Sequence, residues 1–525
     1  MILAIVLALV AFAYAVPSPV VSRNASLNAS QFEVKSLPGA NFLSPSWAGL
    51  ILVFGTADGN SLFFWLFEAE NRAYDDNLVI WLNGGPGCSS LIGFFLENGP
   101  TKLGHALYVD QPVGSGFSTA SQPNPVNNNE RITSDFYSWL KAFYQVFPHL
   151  LEKKMHLMGE SYAGVYLPYF ASRIMENHDS LAVNLTSISI GNGILDNNTA
   201  MTDVTVGSFM KLNAERLGMP QNILDTFSAA DRTCGFDSVL EQGSKYPPPQ
   251  APINILGNPE HLNFKRQAHG NKLSARRFGP EAECDLKPNT SAAVTSSILN
   301  STCYGSCATF STAGDYLDTL SESRGDIWFN FYNINYNCTA IDPTAKLTTY
   351  LNRADVQKAL NVPQYSRRNG TYPFQSCNHK LIQSLTPPYS QSEPPAYSVL
   401  PTLISKHKIP VHIYHGALDM LVNHVGAELV LQNMTWNGQQ GFQQRPNKPF
   451  GTMTTTTTQI SPRWRGERKW ATAADEKNNT RPAAGVWTEE RGLLYHLFHE
   501  AGHGVPMDQP EHMFNYVRDV VVGRT

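Results

Sequence analysis

One stretch constrains the fold of this chain more than any other: Met155-His156-Leu157-Met158-Gly159-Glu160-Ser161-Tyr162-Ala163-Gly164. The apolar run Met155 to Met158 predicts a strand, and the apolar segment Tyr162 to Ile174 predicts a helix. Ser161 falls between them, on a turn too tight for large neighbours. Strand, sharp turn and helix in that order form the context of a nucleophile elbow, which lifts a serine hydroxyl clear of a sheet edge. The N-terminus of the following helix offers N–H groups to an oxyanion. Gly159 stands two positions before the serine, as the motif asks. Ala163 stands two after it, where glycine is usual, and Gly164 comes one step later.

The chain has 525 residues and a formal charge of −4, length enough for one large domain with insertions or for two domains. The near-neutral balance leaves no basic surplus for nucleic acid. Met1 to Ala15 is a short apolar run ending in Ala13-Tyr14-Ala15, and it reads as a secretory signal peptide cut before Val16. It is too short to span a bilayer comfortably, so no membrane anchor is expected. Asn-x-Ser/Thr sequons at Asn24, Asn28, Asn184, Asn197, Asn289, Asn300, Asn337, Asn369, Asn433 and Asn478 fit export. The seven cysteines are Cys88, Cys234, Cys284, Cys303, Cys307, Cys338 and Cys377. In an oxidising compartment they allow up to three disulfides and one thiol left over. They show no paired zinc-ligand spacing, so no metal is expected.

Along the chain, residues 16–45 are rich in Ser, Asn and Pro and read as a loose lead-in. Trp47 to Phe67 carries two apolar runs either side of Asp58-Gly59-Asn60, a hairpin signal. Asn77 to Asn83 and Ala106 to Asp110 are continuous apolar strands of the kind buried on both faces of a sheet. Phe136 to Phe147 has a helical period, and Ile188 to Gly193 is another strand. This alternation predicts an α/β core with a central, mainly parallel sheet, its first part spanning 46–195. Residues 196–390 mix helical pieces with turn-rich stretches and hold most of the cysteines. They read as a disulfide-bearing, mostly helical insertion or cap. Within it, Asn352 to Asn361 is a short helix with Asn352 as N-cap and Pro363 beyond its end. Thr386 to Ser398 is a Pro/Ser loop. The second part of the core, 391–525, brings back strands at Val411 to His415 and Gly492 to Leu497. It carries a long polar loop over 451–484 and closes with a helix over Pro510 to Val522.

An activated serine needs a base, and the base needs an acid to orient it. In the α/β-hydrolase fold these follow in chain order Ser, Asp, His, each on a loop after a strand. Asp419 and His503 stand in that order, each just past an apolar strand and among glycines. His412, His415, His424, His496, His499 and His512 compete for the base role, but His503 alone lies between two glycines on a post-strand loop. Gly84-Gly85-Pro86-Gly87 follows the Asn77 strand, where exposed N–H groups suit an oxyanion hole.

These residues resemble the serine carboxypeptidases, a secreted or vacuolar α/β-hydrolase family. The likeness rests on Trp81 to Ser90, Glu97-Asn98-Gly99-Pro100, Asp110 to Ser118, Gly159 to Gly164 and Gly502-His503. Asn433 to Gly438 and Thr488 to Tyr495 look like a fungal branch. The resemblance implies release of single C-terminal amino acids from peptides and proteins at acidic pH, with no cofactor. It makes Ser161 the nucleophile, His503 the general base and acid, and Asp419 its orienter. Gly85 and Tyr162 would supply the oxyanion hole, and Asn83, Glu97 and Glu160 would bind the substrate's terminal carboxylate. Cys88 and Cys377 match the family's core-to-insertion disulfide. The implied partners are peptide C-termini, with no nucleic acid and no membrane anchor. The expected state is monomer or homodimer, and the expected location is the secretory pathway, ending outside the cell or in the vacuole. Four departures stand out, among them the loop over 451–484, which is longer than the resemblance leads one to expect. Only Thr101 to Ala106 separate the Glu97 motif from the Leu107 strand, where relatives are longer. Gly504 replaces the Met that commonly follows the histidine and lines the leaving-residue pocket. Val422 is aliphatic where some relatives carry a thiol. An acyltransferase or esterase on the same scaffold, or a member inactivated by the short segment, are the alternative readings.

Overall fold

The computed structural model describes residues 28–40, 44–53, 60–99, 102–120, 128–255, 287–300, 306–336, 343–363, 373–385, 393–451 and 483–523. The strands are β1 (Ser46–Leu52), β2 (Ser61–Phe67), β3 (Asn77–Leu82), β4 (His105–Asp110), β5 (Lys154–Glu160), β6 (Asn184–Gly191) and β7 (Val411–Gly416). After them come β8 (Thr435–Trp436), β9 (Gln439–Gln440), β10 (Lys448–Phe450), β11 (Gly485–Glu490) and β12 (Leu493–Phe498). All but the small β8–β9 hairpin join one sheet in the order β1-β2-β4-β3-β5-β6-β7-β12-β11-β10. The pairs from β4 through β3, β5, β6 and β7 to β12 are parallel, and the flanking pairs are antiparallel. Every residue of β3, β4 and β7 is buried, as strands covered on both faces must be.

Register brings the carboxyl ends of the parallel strands to one edge. Leu82 pairs with Gly159, Glu160 with Gly191, Gly191 with Tyr414, and Gly416 with Phe498. The loops that leave β3, β5, β6, β7 and β12 therefore start side by side, the usual place for a site in an open α/β sheet.

Two apolar layers cover the sheet. Helices α1 (Asn129–Val146) and α2 (Ala163–Glu176) bury Phe136, Trp139, Leu140, Leu167 and Phe170 against Phe64, Ile80, Leu157 and Ile188. On the other face Trp81, Met158 and Tyr414 meet Val356, Met513 and Tyr516. Between β6 and β7 the chain adds helices, including Val206–Leu212, Gln221–Cys234, Ser291–Leu299 and Thr309–Ser323. These have their own core around Phe209, Phe227 and Leu317, which Leu418 and Met420 enter from the loop after β7. Cys234–Cys307 staples this region, a pairing that spacing left open.

Several expectations are corrected. The described part of the lead-in is docked rather than loose: Phe32 packs on Phe64, ring centroids 5.3 Å apart, and Val34 N donates to Ser46 O. The helix near Asn352 runs Ala354–Ala359 with Arg353 as N-cap and no side-chain cap. Asn352 instead bonds the Phe374 backbone through both ends of its amide. The closing helix is α-helical over Pro510–Tyr516 and widens to a π turn over Val517–Val522. After the short connection that follows Pro100, β4 pairs β2 on one edge and β3 on the other. The signal peptide, the turn residues Asp58 and Gly59, Cys284, Cys303 and Cys338 lie outside the described residues. So do the sequons at Asn24, Asn337, Asn369 and Asn478, residues 386–392 of the Pro/Ser loop and residues 452–482 of the polar loop.

Phe64 stands among Phe32, Trp139, Phe143 and Phe147, the aromatic centre of the α1 side. Phe64→Ala is expected to cost about 3–5 kcal/mol, through lost transfer energy plus a cavity. Urea unfolding followed by tryptophan fluorescence measures this, and a loss below about 1 kcal/mol would contradict the packing.

Candidate active site

Ser161 has φ 64, a left-handed backbone that non-glycine residues rarely adopt. It is held there by backbone bonds on both sides, Ser161 N to Gly191 O at 2.9 Å and Ile194 N to Ser161 O at 3.0 Å. A Cβ at Gly159 would lie 2.3 Å from Leu82 O and 2.8 Å from the Ala163 Cβ, so glycine here leaves room for alanine there. The second glycine is needed one residue later: a Cβ at Gly164 would meet Ile194 O at 2.6 Å. This explains the displaced motif.

The loop after β3 lies directly on this turn. A Cβ at Gly84 would stand 2.3 Å from Tyr162 N and 2.9 Å from the Ser161 Cβ. Tyr162 is the N-cap of α2, and its own side chain makes no capping bond. Two anchors hold the loop. Cys88 is disulfide-bonded to Cys377, and Asp110 accepts from Ser89 Oγ (2.6 Å), Ser90 N (2.9 Å) and Phe117 N (2.9 Å). Burial pushes the Asp110 carboxyl up to about 6 despite those donors. The sequence gives Asp110 no assignable role, since its partners are set by tertiary folding.

At the neighbouring strand ends, His503 Nδ1 and Asp419 Oδ2 are 2.7 Å apart, and both residues are buried. Asp419 Oδ1 accepts from Leu421 N (2.9 Å) and Val422 N (3.2 Å). Asn192 Nδ2 donates to Asp419 Oδ2 at 2.8 Å, and Asn192 Oδ1 accepts from Gly416 N at 3.2 Å. Asn192 thus links the strand beside the Ser161 turn to the acid. Sequence reasoning passed over it, although its place between two glycines at a strand end was a signal. Burial alone would depress His503, but the Asp419 carboxylate and the Glu97 charge outweigh it and leave the imidazole above its ordinary value. His412, His415 and His496 are buried within β7 and β12, and His424 faces Glu428 at 3.2 Å.

Asn83, Glu97 and Glu160 meet beside this pair. Asn83 Oδ1 accepts from Trp81 Nε1 (2.8 Å) and Gly93 N (3.1 Å), which fixes the amide orientation. Its Nδ2 then donates to Glu160 Oε1 (2.9 Å) and Glu97 Oε1 (3.2 Å). Glu97 comes from a π-helical turn, Gly93–Asn98, a distortion common at functional sites. The second oxygens of both carboxyls are enclosed and take no bond from any other residue, and the two acids share a hydrogen bond in which Glu160 donates to Glu97. Burial raises both acids, and for Glu160 the neighbouring Glu97 charge adds to that, so Glu160 is driven highest. A protonated carboxyl here can donate to an incoming carboxylate.

A mostly apolar cavity of about 270 Å³ lies behind Glu97, floored by Trp81, Ala106 and Met158 and closed by Met513 and Phe514. Beside His503, a Cβ at Gly504 would meet Met507 at an ordinary 3.7 Å, so the position has open room. Among the described residues no group of His, Cys, Asp or Glu could hold a metal ion.

Comparison with known proteins agrees with this geometry. Residues 38–523 match the family described as serine carboxypeptidase. A carboxypeptidase Y homolog of Arthroderma benhamiae is 43% identical over 99% of both chains. A pheromone-processing carboxypeptidase KEX1 of Verticillium alfalfae is 28% identical over 93% of this chain and 66% of its own. The crystal structure of a prohormone-processing carboxypeptidase from Saccharomyces cerevisiae superposes with a TM-score of 0.63 at 20% identity, covering 95% of this chain and 96% of that one.

The raised acids have a consequence for stability. The folded protein holds a proton that the unfolded chain, with its glutamate near 4.5, has released. Their contribution is fully present below about pH 4.5 and is lost as pH rises through the folded value, about 1.4 kcal/mol for each unit of separation. Glu160→Gln is therefore expected to flatten the fall in unfolding free energy between pH 4.5 and pH 7.5. Chemical melts at both pH values test this, and parallel losses in variant and wild type would contradict it.

Proposed function

The chain belongs to the serine carboxypeptidase family, and from that premise we propose how its residues perform the reaction. It is a serine-type carboxypeptidase with the α/β-hydrolase fold. Ser161 Oγ attacks the carbonyl of the last peptide bond, and His503 Nε2 takes the hydroxyl proton. Asp419 on Nδ1 holds the tautomer in which Nε2 is free to accept, and stabilises the imidazolium that forms. The Gly85 and Tyr162 N–H groups hold the oxyanion of the tetrahedral intermediate. His503 returns its proton to the departing amino acid, and water then hydrolyses the acyl-enzyme by the same route.

Asn83, Glu97 and Glu160 bind the substrate's terminal carboxylate. The observation that carries this is the buried Glu97–Glu160 pair, gathered on the Asn83 amide and held partly protonated by burial and by each other. An acidic working range follows from two limits. His503 must be neutral to act as base, and the glutamate pair must keep a proton to donate. Part of the upward push on His503 comes from Glu97, so protonation of the pair lets the imidazole work at lower pH. The partners are peptide and protein C-termini, and the protein acts as a monomer or homodimer. Disulfides at Cys88–Cys377 and Cys234–Cys307 support a place in the oxidising secretory pathway, outside the cell or in the vacuole.

An organophosphonate is expected to label wild type at Ser161 and to leave Ser161→Ala unlabelled. Labelling of both, or of neither, removes Ser161 from the nucleophile role. KM for a peptide acid is expected to rise steeply as pH passes through neutrality, while KM for the matching peptide amide stays nearly flat. Identical pH profiles for acid and amide would exclude Glu97 and Glu160 as the carboxylate site.

A further inference from the structure

The Asp419 and His503 loops leave different strands, and a third segment touches both. It runs from Phe331 to Tyr336, in the region between β6 and β7. The Phe331 carbonyl accepts from Met420 N at 3.0 Å and Leu421 N at 3.1 Å, and Ile334 N donates to Leu418 O at 3.1 Å. Asp419 is bracketed by those contacts. One residue along, the Tyr332 carbonyl accepts from His503 N at 2.7 Å, and the Tyr332 ring stands edge-on to the imidazole with centroids 5.2 Å apart.

Asp508 ties this segment to the His503 loop. Its Oδ2 accepts from Gly502 N and Asn333 Nδ2, each at 2.8 Å, and its Oδ1 accepts from the Tyr336 hydroxyl at 2.7 Å. The fit is tight: a Cβ at Gly502 would meet Tyr332 O at 2.3 Å and Asn333 Cβ at 2.5 Å. One carboxylate therefore gathers a backbone N–H from the base loop and two side chains from the bracing segment. Charge-assisted bonds of this kind are stronger than neutral ones and fix direction.

We propose that Asp508 is a positioning residue that, with the segment Phe331–Tyr336, holds the His503 loop in register with the Asp419 loop. The region between β6 and β7 then completes the acid–base pair. This rests on the reading of Ser161, His503 and Asp419 as the reacting set. The Asp508 charge also bears on Glu97. An effect by that path would appear in KM, whereas a displaced imidazole appears in kcat.

The test counts competent sites by carrying phosphonate labelling to completion and expresses kcat per labelled site. Asp508→Ala is expected to lower that value by about 30- to 100-fold, as displacements near 1 Å do, with KM for a peptide acid changed less than about threefold. Asp508→Asn keeps an oxygen for Gly502 and Asn333 and presents an NH2 to the Tyr336 oxygen, so it should recover to within about fivefold of wild type. Tyr336→Phe removes a single hydroxyl and should cost a few-fold; it is the variant to read if Asp508→Ala does not fold. Unchanged kcat per site in Asp508→Ala, or in Tyr336→Phe where the alanine variant does not fold, overturns the proposal. An asparagine variant as slow as alanine also overturns it, because charge rather than bonding would then be what matters. Failure of wild type to label would instead sink the reading of Ser161.

Discussion

The site depends on backbone pressing on backbone where the loop after β3 crosses the turn after β5. No side chain fits between Gly84 and the Tyr162 amide, and none fits between Gly159 and Leu82 O. That closeness brings one strand's N–H groups to another strand's hydroxyl without a mobile side chain in between. Donors fixed in this way need no reorganisation when charge develops on a substrate oxygen. The loop is held from outside by Cys88–Cys377 and from beneath by Asp110, so its geometry does not depend on the substrate.

The acidic group beside it trades stability for recognition. Asn83 spends its whole hydrogen-bonding capacity, with two donors received at its oxygen and two carboxyls served by its nitrogen. The amide therefore cannot turn, and the two glutamates are fixed side by side, sharing a hydrogen bond. Two neighbouring buried acids cannot both ionise cheaply. The fold carries that burden in the stretch that faces the reaction, while its apolar layers supply the compensating burial.

The frame and the three central residues were legible in the sequence because their signals are local. Continuous apolar runs marked β3, β4, β5 and β7, and glycines marked the turns at Gly84, Gly159 and Gly502. What escaped was set by distant partners. Asp110 looks ordinary until folding places Ser89 against it, and the glycines flanking Asn192 mark a turn without revealing Asp419 as its partner. Asn352 has a good capping residue's chemistry, but the Phe374 backbone took both ends of its amide. The pairing of Cys234 with Cys307 depends on how helices pack, which spacing does not encode. The lead-in looked polar overall, yet single apolar residues such as Phe32 were enough to dock it.

β12 lies inside the sheet, between β7 and β11, although it comes from nearly the end of the chain. An interior strand supplied last leaves two open edges until it arrives, and open edges invite pairing with other chains. A polypeptide that stops short of residue 493 therefore lacks the imidazole and leaves β7 unpaired on one side. Incomplete copies of this protein would be harmless as peptidases and hazardous as aggregates, and both properties trace to the same missing strand.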